Sequence, residues 1–126
     1  MEVLSSRVLY GSRNFDSLRR FYEETVGLHV YREYGLAGQV RGVVFFLGGG
    51  FLEITRASTS SPSITLWLQV RDAAAEEHHL REAGVEVVKP VERMPWGLIE
   101  GWVRDPEGNE LRLVEVPGEY PIRRRL

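Results

Sequence analysis

At 126 residues, 43% hydrophobic and 27% charged, the chain has the size and composition of one soluble domain that builds its own core without a covalent staple. Sixteen basic and eighteen acidic side chains leave a formal net charge of −2, which gives no electrostatic reason to expect nucleic acid as a partner. The absence of cysteine excludes disulfides, thiolate catalysis and cysteine-based zinc or iron–sulfur sites, and it fits a reducing compartment.

Residues 7–12 form a short strand, after which Asn14 or Asp16 offers a side-chain oxygen to cap a helix. Phe15, Leu18, Phe21, Tyr22 and Val26 recur at helical spacing, and Gly27 stands where a left-handed C-cap is wanted. Strands follow at 28–34, 40–47 and 51–56, separated by Gly35 and Gly38 and by the Gly48-Gly49-Gly50 turn. That glycine run lacks a Lys or Ser/Thr partner and a following helix, so it is a hairpin turn and no phosphate cradle. Residues 57–63 are small and polar and read as a linker.

The second half repeats the plan. A strand at 64–70 leads to a helix over 73–83, capped by Asp72 and ended by Gly84. Strands follow at 85–88, stopped by Pro90, then at 98–104 and 110–116 on either side of an Asp105-Pro106-Glu107-Gly108-Asn109 turn. The order β-α-β-β-β, twice, predicts an α+β fold. We expect a single domain over 1–126, with module 1 at about 5–56, the linker at 57–63, module 2 at about 64–117 and a tail at 118–126. Arg123-Arg124-Arg125 in that tail is read as a solvated cluster. The opening residues carry no apolar signal run, and no stretch approaches the roughly 18 apolar residues of a membrane span. A cytoplasmic protein with no membrane partner is expected.

Two such modules carry a set of ordered marks: Phe21-Tyr22 before Val26-Gly27-Leu28, Leu52-Glu53-Ile54, Val70-Arg71-Asp72 with Glu82-Ala83-Gly84-Val85, and the turn at 105–109 running into Glu110-Leu111-Arg112-Leu113. In this order the chain resembles the vicinal oxygen chelate superfamily, which includes glyoxalase I, extradiol dioxygenases and the bleomycin-resistance proteins. The resemblance implies two modules whose sheets form a curled mixed sheet around a cavity, with helices outside. Period-2 alternation then sends Leu52, Ile54, Leu111 and Leu113 to the helix side. Arg7, Leu9, Phe51, Glu53, Thr55, Thr65, Trp67, Glu100, Trp102, Glu110, Arg112 and Val114 go to the other side.

Metal-dependent relatives hold a divalent ion with four inward side chains, which match Arg7, Glu53, Thr65 and Arg112 here. Arginine has no acceptor and threonine is a poor ligand, so Glu53 is the only retained candidate and no metal site is expected. His29, His78 and His79 do not repair the set, since neighbours on a helix point about 100° apart. Arg7, Glu53 and Arg112 are expected to tie the modules together, to receive an anion by bidentate hydrogen bonds, or to do both. Trp67 and Trp102, predicted inward, and Trp96, in Pro95-Trp96-Gly97 before a strand, either fill core or stack on a flat ligand.

The Pro95-Trp96-Gly97 segment and the turn at 105–109 particularly resemble the bleomycin-resistance proteins, which bind drug between two subunits without metal or chemistry. Their cationic drug needs an acidic groove, which two inward arginines would not supply. The resulting expectation is a metal-free binding protein, without cofactor or catalytic residues, that sequesters a small aromatic, anionic antibiotic or natural product as a homodimer. Its ligand-binding residues would be Arg7, Glu53, Thr65, Trp67, Trp96, Trp102 and Arg112. The alternative is a metal-dependent glyoxalase-like isomerase, lyase or dioxygenase whose ligands are displaced by a one-residue register slip. A third reading, Glu53 as a general base without metal, ranks last, because nearby arginines lower a carboxyl pKa.

Overall fold

The computed structural model describes residues 1–118; the remainder of the tail, with its arginine cluster, lies outside the described residues. The chain divides into two compact units, Met1–Pro62 and Ser63–Leu126. Each carries one helical segment and one four-stranded mixed sheet, so the class is α+β.

In the first unit the order is β1 (Arg7–Ser12), α1 (Phe15–Arg20), a π-helical segment (Phe21–Val26), β2 (Val30–Leu36), β3 (Gln39–Leu47) and β4 (Gly50–Arg56). The sheet runs β1-β4-β3-β2, with β1 parallel to β4 and the other pairs antiparallel. Alternation sends Tyr10, Val43, Phe45, Leu52 and Ile54 to one face, where they bury with Phe15, Leu18, Phe21 and Tyr22 of the helix. Each such side chain contributes about 1.5–3 kcal/mol by leaving water.

The predicted helical stripe runs its full length to Gly27, but its second half widens into π-helical turns before the left-handed glycine at φ 85°. The expected side-chain cap is missing. Asn14 is the N-cap without a capping hydrogen bond, and Asp16 instead pairs with Arg56 at 2.8 Å. Residues 57–63 are not a free linker. Ala57 N–H donates to the Ser12 carbonyl, Ser61 N–H donates to the Gly11 carbonyl, and the Ser61 hydroxyl accepts from Gly11 N–H. Ser61 thereby pairs both backbone groups of Gly11 near the C-terminal end of the β1 edge.

The second unit comprises β5 (Thr65–Gln69), α2 (Ala73–Glu82), β6 (Glu86–Arg93), β7 (Ile99–Arg104) and β8 (Glu110–Glu115), with sheet order β5-β8-β7-β6. Asp72 caps α2 as expected, its carboxylate accepting from Ala75 N–H at 3.0 Å. Ala73 and Leu80 of the helix, together with Leu66, Val103, Leu111 and Leu113 of the sheet, are buried. The strand expected to stop before Pro90 continues to Arg93. Because β6 lies at the sheet edge and its pairing is irregular between Lys89 and Glu92, the missing proline N–H breaks no regular ladder. Glu77 of α2 holds this irregular stretch, accepting from Val91 N–H while Arg81 donates to its other oxygen. Gly101 gives them room, since a Cβ there would strike the Val91 side chain.

The turn at 105–109 is tied by two buried side chains, Asp105 and Asn109, with Pro106 and Gly108 exposed at its tip. The Asp105 carboxylate accepts from Glu107 N–H, Asn109 N–H and the Asn109 amide, while Asn109 Oδ1 accepts from Ile64 N–H at the start of β5.

Candidate functional site

In the first unit, strand register places Arg7 and Leu9 of β1, Val44 and Phe46 of β3, and Phe51, Glu53 and Thr55 of β4 on the sheet face opposite the helix. Arg7 Nη1 donates to Glu53 Oε1 at 2.7 Å, so these two predicted site residues do meet. The second carboxylate oxygen is also taken, because the Tyr34 hydroxyl donates to Glu53 Oε2 at 2.5 Å. The Tyr34 phenol holds the Glu53 carboxyl below the usual range; burial opposes this, and the Arg7 guanidinium reinforces it. Burial, then the hydrogen bond to Glu53, push the Tyr34 phenol up to about 12.

Tyr34 escaped the sequence reading. It lies 19 residues from Glu53 and reaches it from β2 across β3, where Gly42 leaves room: a Cβ at Gly42 would meet the Tyr34 ring and hydroxyl. A glycine inside a strand, directly before the Val43-Val44-Phe45-Phe46 run, was the signal that could have revealed this close approach.

Within the second unit, Thr65 is exposed at the start of β5 and sits opposite Glu110. Trp67, 51% exposed, lies opposite Arg112, and Arg112 lies opposite Trp102. The Arg112 guanidinium sits 4.0 Å from the centroid of the Trp102 ring, within cation–π range. Its Nε donates to Glu110 at 2.9 Å. The sequence reading assigned both arginines to one carboxylate; each has a carboxylate of its own unit, because Glu110 precedes Arg112 by two residues on the same strand face.

Trp96, at the tip of the turn joining β6 and β7, and Trp102 both donate their indole N–H to Glu100, at 2.7 and 3.0 Å. Glu100 is 3% exposed and accepts one indole on each oxygen, which fixes both rings. Its place two residues before Trp102, on the same face of β7, was legible from alternation; its double partnership was not.

Of the seven predicted residues, Arg7 meets Glu53, Trp96 meets Trp102 through Glu100, and Trp67 and Trp102 flank Arg112. Thr65 shares the face of Trp67 without joining a cluster. The four positions matched to metal ligands do not suit a cation. Two are arginines, one is an exposed threonine, and both oxygens of the remaining carboxylate already accept hydrogen bonds. Among the described residues no three His, Asp or Glu side chains gather as a metal site, and no helix is long and apolar enough to cross a membrane.

No curated protein matches the sequence significantly. Among solved structures, TioX from Micromonospora sp. ML1 is similar with a TM-score of 0.77 and 21% identity, over 90% of this chain and 98% of that one. A member of the Glyoxalase/bleomycin resistance protein/dioxygenase superfamily from Sphaerobacter thermophilus DSM 20745 gives a TM-score of 0.72 and 25% identity, over 90% and 98%. Lactoylglutathione lyase from Agrobacterium tumefaciens gives 0.69 and 17%, over 91% and 94%. The family model of the Glyoxalase/Bleomycin resistance protein/Dioxygenase superfamily matches residues 6–113, and the chain therefore belongs to that superfamily.

Proposed function

We propose that this chain is a metal-free small-molecule-binding member of its superfamily, closest in kind to the bleomycin-resistance-like proteins. It sequesters a flat, anionic antibiotic or natural product, acting as a cytoplasmic homodimer. The observation that carries this reading is the donor set described above, in which arginines stand where ligands to a cation are needed and Glu53 is already engaged by Arg7 and Tyr34. Arg7 and Arg112 supply cationic groups for an anion, with Glu53 orienting Arg7. Trp67, Trp96 and Trp102 supply ring surface, and Thr65 a hydroxyl beside Trp67.

The alternative, a metal-dependent isomerase, lyase or dioxygenase, depended on a one-residue register slip. The strands place Leu52, Ile54, Leu111 and Leu113 in the buried layer, so Glu53 and Arg112 stay on the opposite face and the slip is absent. Glu53 as a general base is disfavoured too, because a carboxyl held below its ordinary range is a weak proton acceptor at neutral pH.

All three tryptophans lie in the second unit, so intrinsic fluorescence reports on its face directly. Titration with a library of planar aromatic carboxylates in the presence of EDTA should give a saturable change with at least one compound. Arg112→Gln should weaken that binding by about tenfold, the loss of one charge-assisted hydrogen bond. A flat response to every compound would sink the proposal.

A further inference from the structure

The tryptophans of the second unit account for only part of the exposed aromatic surface. On the face of the first sheet opposite α1, three further rings gather: Tyr31 lies 5.1 Å from Phe46 and 4.9 Å from Phe51, and Phe46 lies 5.6 Å from Phe51, between centroids. Tyr31 is 49% and Phe46 47% exposed, although both sit in strands whose neighbour Phe45 is fully buried. The pairing of β2 with β3 is irregular between Val30 and Arg32, a bulge that explains how Tyr31 joins this cluster while Arg32 also pairs across this face, opposite Val44. Most of the buried core of the unit lies on the other face, with Val44 the buried aliphatic side chain beneath this one, and Tyr31 and Phe46 stay about half exposed. They hold one another at separations typical of favourable aromatic pairs, so their positions are set before anything binds.

Charge accompanies the rings. The Arg7 guanidinium lies 5.7 Å from the Phe51 centroid, and the Arg32 guanidinium lies 5.9 Å from the Tyr34 centroid. Both arginines act electrostatically on Tyr34 and Glu53, and Glu53 is the carboxylate they share. Two cations against one carboxylate leave this face with positive charge beside an apolar platform.

We infer that the face of the first sheet is a subsite for the aryl end of an aromatic carboxylate or sulfonate, with its ring on Tyr31, Phe46 and Phe51 and its anionic group on Arg7 and Arg32. The inference rests on the reading of this protein as a binder of a flat, anionic small molecule and assigns the ligand's aryl and anionic groups to one face of the first unit. It also assigns residues outside the predicted set.

The test is isothermal titration calorimetry of the full chain with 1-naphthoate and with the neutral 1-naphthamide. The wild type should bind naphthoate and take the amide about tenfold more weakly, for want of a charge-assisted contact. Phe46→Ser removes an exposed ring and should weaken naphthoate by about tenfold, and Arg32→Gln by a similar factor. Thermal melts of both variants verify that folding is intact, and Tyr31→Ser replaces Phe46→Ser if that variant fails to fold. Naphthoate binding that is unchanged in Phe46→Ser but lost in Trp102→Leu overturns this subsite and leaves the binding function standing. Absence of naphthoate binding, while another library compound binds, overturns the ligand class alone. Conversion of a dimer to a monomer by Phe46→Ser, with no naphthoate taken up by the wild type, also overturns it and makes the face a contact between copies.

Discussion

Gly42→Ala offers a sharp test of how the first unit is assembled. Gly42 lies in β3 with ordinary extended backbone, so alanine adds no conformational strain there. What it adds is a Cβ whose three nearest neighbours are Cζ, Oη and Cε1 of Tyr34, all closer than real side chains approach. Backbone on both sides is locked in the ladder, so the Tyr34 ring must move. Its hydroxyl then leaves Glu53 Oε2, a hydrogen bond to an ionised acceptor that contributes about 1.5–3 kcal/mol. Overpacking adds about 1–3 kcal/mol, partly the same displacement counted again. We therefore expect Gly42→Ala to cost roughly 2–4 kcal/mol in urea denaturation followed by circular dichroism. In a Tyr34→Ala background the same substitution should cost less than about 0.5 kcal/mol, leaving nearly the whole effect as coupling energy. Equal costs in the two backgrounds would refute the packing argument.

Other outcomes follow from single groups. The stability difference between wild type and Tyr34→Phe should be flat from about pH 5 to about pH 10. The phenol's raised pKa means its contribution is complete below the ordinary tyrosine value and shrinks as pH climbs toward about 12. The lowered Glu53 pKa means its share is complete above about 4.5 and fades in acid; a difference that grows at either extreme would contradict both directions.

Burial pushes Glu77 up, but the Arg81 guanidinium and Val91 N–H outweigh it and hold the carboxyl low. Glu77→Ala should thus cost about 1–3 kcal/mol at neutral pH and progressively less below about pH 4.5; a cost that is independent of pH would argue that only packing is lost. In Glu100→Gln one indole N–H faces an amide donor in place of an oxygen, so the tryptophan emission maximum should shift; an unchanged spectrum would mean the Trp96–Glu100–Trp102 bridge is not formed in solution. Asn109→Ala strands Ile64 N–H and removes one of the donors to the Asp105 carboxylate, with an expected loss of about 1–3 kcal/mol, read by thermal melting.

Sequence periodicity was enough wherever one layer alone decided the outcome. Leu52, Ile54, Leu111 and Leu113 alternate with polar neighbours, and that alternation set the register that puts Glu53 and Arg112 on one face of their strands. Gly27, Asp72 and Gly84 marked helix ends because each supplies a conformation or an oxygen that few residues offer. Pro90 misled, since its effect depends on whether the strand is at an edge, which sequence does not state. In Val43-Val44-Phe45-Phe46 every residue is apolar, so nothing local shows that Phe45 is core and Phe46 exposed. The bulge that brings Tyr31 beside Phe46, and the reach of Tyr34 over Gly42, arise from strand pairing and leave no periodic trace.

The claim most exposed to direct measurement is that arginines replace the cation at the positions matched to metal ligands. Elemental analysis by mass spectrometry of the purified, dialysed protein, paired with a binding titration before and after EDTA treatment, addresses it in one preparation. The account predicts nickel, zinc, iron and manganese far below one equivalent per chain and a binding curve that EDTA leaves unchanged. One tightly held equivalent of any of these metals, with binding abolished on its removal and restored on its return, would contradict it.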